Sequence, residues 1–259
     1  VWDLAGNYPK ILNDEIVGNE AQKVFRDGQA MLKRIVQERW LTASASYGLL
    51  PAVSDGDDIV IFADGAHTTV AMRFHTLRQQ VAKEAGRPNF ALADFVAPKD
   101  SGHADYLGLF AVTTGLGADA RVQAFEKAGD DYNAIMFKAL ADRLAEAFAE
   151  HLHERVRKEF WGYAHEEKLD NEALVKEQYR GIRPAPGYPA CPDHREKVDL
   201  FRVLNAEAIG MGLTESYAMT PPASVSGFYF SHPAAQYFTV GKLGDDQFAD
   251  LARRRGEDV

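Results

Sequence analysis

Between residues 19 and 38 the apolar side chains Ala21, Val24, Phe25, Met31, Leu32, Ile35 and Val36 return at steps of three and four, which predicts a helix with one buried face. Residues 57–63 and 68–74 read as two strands joined by the short Asp64-Gly65 turn, so a hairpin is expected there. Residues 106–115 are continuously apolar and bounded by glycine, the pattern of a strand covered on both faces and lying centrally in its sheet. The longest regular pattern runs from 130 to 160, where Met136, Leu140, Leu144, Phe148, Leu152 and Val156 fall every four residues. At 1.5 Å per residue this predicts a helix of about 40 Å. Arg143, Glu146, Glu150, Arg157 and Lys158 lie off that stripe and are expected on a solvated face. A second amphipathic run spans 196–209. Residues 214–219 and 225–230 read as strands separated by Pro221-Pro222, and a last helix is expected over 245–254. Helix and strand signals alternate without internal repeats, which favours one mixed domain of α and β elements.

Composition narrows the function classes. The 259 residues include 46% hydrophobic and 26% charged side chains, a balance that supports a core without disulfide or metal staples. With 29 basic against 38 acidic side chains the net charge is −9, so nucleic acid is not an expected partner. No run reaches the roughly 18 to 20 apolar residues of a membrane span, and no membrane partner is expected. A single cysteine, Cys191, cannot close an internal disulfide and fits a reducing, cytoplasmic setting. The opening V-W-D-L-A-G-N-Y-P-K has neither Met nor a basic and apolar leader. It is expected to be a cut inside a longer chain.

The most unusual segment is residues 183–194, R-P-A-P-G-Y-P-A-C-P-D-H. Proline at this density fixes φ and excludes both helix and interior strand, leaving a rigid loop whose backbone groups need partners outside a ladder. A small polar ligand is one candidate partner, with Arg183 as a carboxylate clamp; a stiff surface connection with a solvated arginine is the other reading. Cys191 and His194 lack the further ligands that a structural zinc requires, and His151 and His153 point in different directions on their helix. With prolines on both sides, the Cys191 thiol has no helix N-terminus to activate it, so a packed, inert cysteine is expected. The strings G-x-G-x-x-G, G-x-x-x-x-G-K-[ST] and G-x-S-x-G are absent from the chain, so dinucleotide, P-loop and nucleophile-elbow readings lose their usual support. Phe228, Tyr229, Phe230, Tyr237 and Phe238 crowd the tail, mostly as core, with some available to wall a pocket.

The strings G-I-R-P-A-P-G-Y-P-A-C-P-D-H (181–194), L-T-E-S-Y-A-M (213–219), S-V-S-G-F-Y-F-S-H-P (224–233), the 141–163 segment, D-F-V-A-P-K-D-S-G-H-A-D-Y-L-G-L-F-A-V (94–112) and D-D-Y-N-A-I-M-F-K-A-L-A-D-R (130–143) are distinctive, R-P-A-P-G-Y-P-A-C above all. Together they resemble the C-terminal activation domain of cobalamin-dependent methionine synthase. The resemblance spans essentially the whole chain. It implies an α+β fold, a single C-shaped domain around a twisted antiparallel sheet, unlike the Rossmann methyltransferases. It further implies binding of S-adenosylmethionine, with cobalamin carried on a neighbouring domain of the same polypeptide and one electron supplied by a flavodoxin-type reductase. Reductive methylation of cob(II)alamin would then restore a stalled cofactor, and no side chain of this chain would act as acid, base, nucleophile or metal ligand.

Carried over by motif, the donor site would comprise Arg183 as anchor, the backbone around Ala185, Gly187, Tyr188, Pro189 and Ala190, the aromatic pair Tyr237 and Phe238, and Glu146 and Glu177 beside the cationic groups. The family has tyrosine where Phe238 stands, so a hydroxyl is missing there. A D-W-x-P-F-F segment that precedes the family's W-x-L-A-G-x-Y-P stretch is also missing; Asp3 is no substitute, and residues 1–259 are expected to be a fragment cut at both ends that binds the donor more weakly than a full domain. Two other roles compete with donor binding: docking of flavodoxin and the cobalamin domain, and reactivation of another corrinoid protein in trans.

Overall fold

The structure, a computed structural model, describes residues 4–257. In chain order the elements are helix α1 (Gly18–Gln37), strands β1 (Thr42–Asp55), β2 (Asp58–Phe62), β3 (Val70–His75) and β4 (Asp105–Leu116), helices α2 (Ala118–Lys127), α3 (Asp131–Arg155), α4 (Asn171–Val175) and α5 (Glu196–Leu204), strands β5 (Gly212–Leu213), β6 (Met219–Thr220) and β7 (Ser224–Tyr229), and helix α6 (Asp245–Arg255). Five strands form one antiparallel sheet in the order β3-β2-β1-β4-β7, and β5 and β6 pair separately. The α+β expectation holds, as do α1, the β2–β3 hairpin, α5 and α6. No helix among the described residues is long and apolar enough to cross a membrane.

β4 shows why its continuous apolar run is needed. Leu107, Leu109 and Ala111 face one core with Ile59, Ile61, Phe74 and the α5 residues Leu200 and Phe201. Phe110 and Val112 face another, beneath Ala149 and Leu152 of α3 and Val156 just after it. Neighbouring β7 alternates the same way, sending Phe228 to the first layer and Tyr229 to the second.

One strand escapes the sequence pattern, and two expectations need correction. The central strand β1 carries Gly48, Pro51 and a T-A-S-A-S start, a composition depleted in strand formers, and pattern alone does not announce it. Residues 214–218 are not a strand, and only Met219 of the expected run is: the Thr214 N–H donates to the Ala218 carbonyl at 2.9 Å and closes a tight turn between the two-residue strands β5 and β6. On α3, which Asp130 caps by accepting the Asn133 N–H at 3.2 Å, the fully buried line is Phe137, Ala141, Ala145, Ala149 and His153, one position beyond the leucine stripe. That line continues to Arg157, which has no exposed surface, in a single wide π-type turn that ends the helix. The solvated-face expectation therefore fails for Arg157. It also fails for Glu150, whose side chain is only 26% exposed and is salt-bridged.

Candidate functional site

The proline-rich loop is anchored on β7. Ile182 and Phe230 exchange both backbone hydrogen bonds, at 3.1 and 3.0 Å, and the Phe228 N–H donates to the Pro184 carbonyl at 3.0 Å. This close lie requires Gly181: its φ is +83°, and a Cβ there would sit 2.2 Å from the Phe230 carbonyl oxygen. Further along, the Gly187 N–H donates to the Cys191 carbonyl (2.7 Å), the Cys191 N–H to Tyr188 (2.9 Å) and the Val240 N–H to Pro189 (3.0 Å). Several of the groups that proline leaves unladdered thus find partners within the protein. Cys191 is buried and its thiol pushed well up by that burial, matching the inert reading.

Loop, α3, β4 and the 237–239 segment enclose a cleft of about 410 Å³. Its lining includes Glu146, Glu177, Arg183, Ala185, Tyr188, Pro189, Ala190, Tyr237 and Phe238, so every residue named from the motifs converges here except Gly187. Gly187 instead makes room inside the loop. At φ +101° its absent Cβ leaves space for the His194 ring, which would otherwise lie 2.1 Å away. The motif reading missed Phe110, Pro184, Val225 and Thr239. Phe110 and Val225 lie on strands, and their alternation assigns them to the core; they form the core and the cleft floor at once. Asp3 lies outside the described residues.

The polar groups of the cleft are incompletely matched. The carboxylates of Glu146 and Glu177 make no hydrogen bond or salt bridge among the described residues, and neither do the N–H groups of Ala185 and Ala190 make a hydrogen bond. Tyr237 Oη accepts the Arg183 N–H at 3.0 Å and lies 3.4 Å from Tyr179 Oη, and burial pushes the Tyr237 hydroxyl pKa up.

Beside the cleft lies a polar layer that includes Glu150 and Arg157, both expected in solvent. Arg183 Nη1 donates to Glu150 Oε2 at 2.6 Å and approaches His153 Nδ1 at 3.3 Å. Its Nε and Nη2 find no partner among the described residues, and neither is a buried unpaired atom. Arg157 grips Glu167 through Nε and Nη2, with contacts of 2.8 to 3.1 Å. Its guanidinium lies 4.4 Å from the Tyr179 ring centre. His153 stacks on Tyr229 with ring centres 5.0 Å apart and meets Tyr179 edge-on. Burial, then the neighbouring Arg157 and Arg183, hold its pKa well below 6.5. The signal for this layer was present: Glu146, Glu150, His153 and Arg157 stand at i, i+4, i+7 and i+11, one face of a helix.

The arrangement contains binding groups and an arginine with one open edge, and among the described residues no nucleophile is aimed into the cleft by a base. The family profile described as "Vitamin B12 dependent methionine synthase, activation domain" matches residues 1–256. Among solved structures, the crystal structure of the MetH reactivation domain bound to AdoHcy is 57% identical, with a TM-score of 0.95 over 99% of this chain and 79% of that chain. A profile that takes in the site and its whole scaffold identifies the family: the chain belongs to the vitamin B12 dependent methionine synthase activation domains.

Proposed function

We propose that the cleft binds S-adenosylmethionine and presents its methyl group to a cobalamin held by a neighbouring domain. The family is part of a cobalamin-dependent methyltransferase; the finer reading rests on the cleft. One observation carries it: an arginine with an open donor edge and two carboxylates without cations converge on a single cavity. A carboxylate ligand end suits Arg183, while an ammonium and a sulfonium suit Glu146 and Glu177. The free N–H groups of Ala185 and Ala190 suit acceptors on the same ligand, with Tyr188, Tyr237 and Phe238 as apolar walls. The volume falls in the roughly 300–1,000 Å³ range of small-molecule clefts. AdoHcy, bound in the related crystal structure, is the demethylated counterpart of the proposed ligand.

Cobalamin in its own domain would supply the nucleophile for methyl transfer. The residues of this chain would hold the sulfonium in place and orient its methyl group outward from the loop. A flavodoxin-type reductase is the partner expected to supply the electron. Calorimetry with S-adenosylmethionine tests the reading. Arg183→Ala removes a charged hydrogen-bond donor worth about 1.5–3 kcal/mol, so affinity should fall roughly 10- to 100-fold, with flavodoxin association unchanged. Absence of binding to the wild-type protein, or unchanged affinity in the variant, would refute it.

A further inference from the structure

Glu150 stands between two guanidinium groups, and each of its oxygens faces one of them. Oε2 accepts from Arg183 Nη1 at 2.6 Å, and Oε1 lies 3.7 Å from Arg157 Nη1. We propose that Glu150, backed by Arg157 and His153, is a positioning residue: it fixes Arg183 by one nitrogen so that the opposite edge, Nε and Nη2, is set for the carboxylate of the ligand. The proposal deepens the S-adenosylmethionine reading and rests on it.

A lone guanidinium on a flexible stem offers five donors in many orientations, and ordering it costs side-chain entropy at every binding event. Here that cost is met before any ligand arrives. Arg183 Nη1 is held by Glu150 and lies against His153 Nδ1, and the Arg183 side chain is only 19% exposed. Glu150 Oε1 in turn faces Arg157 Nη1 as an ion pair without a hydrogen bond, and Arg157 has no exposed side-chain surface and is itself fixed by Glu167 and the Tyr179 face. His153 is fully buried between Tyr229 and Tyr179. Because a guanidinium only donates, a hydrogen bond to Nδ1 requires that nitrogen to accept, with the ring uncharged and its proton on Nε2, which has no hydrogen-bond partner among the described residues.

The balance of charge gives the consequence. Arg157 and Arg183 are offset by Glu150 and Glu167, so the layer offers the cleft directed N–H groups with little net positive field. Recognition then depends on a planar acceptor that matches the open edge, which favours a carboxylate over anions in general.

The test compares S-adenosylmethionine with its decarboxylated form, which keeps the purine, ribose, sulfonium and amine and lacks only the carboxylate. Affinities are measured by displacement of S-adenosylhomocysteine, and thermal melting is followed in parallel. In wild type the carboxylate-bearing ligand should bind much more tightly. Glu150→Ala should cut that ratio at least about tenfold, and Glu150→Gln, which keeps an acceptor for Nη1, about threefold. An unchanged ratio in either folded variant overturns the proposal. So does an equal loss for both ligands, which would mark Glu150 as merely structural, or tighter binding of S-adenosylmethionine, which would mark it as a competitor for Arg183. A wild-type protein that binds neither ligand would instead sink the donor-binding reading itself.

Discussion

Arg157 shows how much one side chain can depend on its partner. It has no exposed surface, and Glu167, itself 9% exposed, supplies the matching charge. Removing one member of such a pair leaves the other desolvated, at a cost of about 3–5 kcal/mol, whereas removing both is far cheaper. Arg157→Met should therefore lower the urea midpoint strongly, and adding Glu167→Leu should restore much of the loss. Equal and additive losses in the two single variants would show that the pair is not coupled. The sequence could show that Arg157 shares a helical face with Glu146, Glu150 and His153. It could not show that this face meets the 179–183 segment, because that partner comes from another part of the chain.

At the scale of the element, α3 carries two parallel lines. The leucine line is conspicuous in the sequence, but Ala141, Ala145 and Ala149 lie closest to the sheet: the first two pack with Ala223, and Ala149 packs with Phe110 and Tyr229. Small side chains let the helix lie close over β4 and β7, and so set the depth at which Glu146 and Glu150 reach the cleft and Arg183. Ala145→Leu should overpack this contact and cost about 1–3 kcal/mol, read as a lowered melting temperature. Donor affinity should fall with it as α3 is lifted; a variant as stable as wild type would show slack in the packing. Alanines escape a search for large apolar residues, just as β1 escapes a search for strand formers. Periodicity made α1 and α5 legible through their regular apolar faces and the β2–β3 hairpin through its two apolar runs and turn, whereas α6 buries Leu251 and leaves Phe248 exposed. The proline-rich loop was legible as rigid and as a candidate wall of a cleft, while its docking on β7 depends on residues some 45 positions downstream, as with Ile182 and Phe230.

Across the whole molecule, ionisable groups that are buried or held in ion pairs set how stability follows pH. Burial raises the carboxyls of Asp58, Asp94 and Asp193, yet hydrogen bonds outweigh it and leave all three low: from His75 and Arg254 to Asp58, from Arg78 to Asp94, and from Arg195 and Arg255 to Asp193. Their folded values lie below the unfolded ones, so their contribution is complete above about pH 4 and is lost as pH falls through the folded values. Glu196 runs the other way: burial raises it despite Arg255, so its contribution declines as pH climbs above 4.5 toward its folded value. His153 acts in a higher window. The unfolded chain takes up a proton below about pH 6.5 that the folded imidazole refuses, so stability should drop by up to about 1.4 kcal/mol per pH unit below that point. Urea midpoints between pH 7.5 and 5 should show this slope in wild type and a flatter line in His153→Asn. The same slope in both would assign the effect to other groups.

The lie of Ile182 and Pro184 along β7 has a further consequence. β7 is the last rung of the five-stranded sheet, and these loop residues take up backbone groups that would otherwise stand bare at its rim. The stretch that would cradle the ligand is thus also a guard against self-association. A change that loosened it would expose a raw β surface to neighbouring molecules, so that clumping would accompany the loss of ligand.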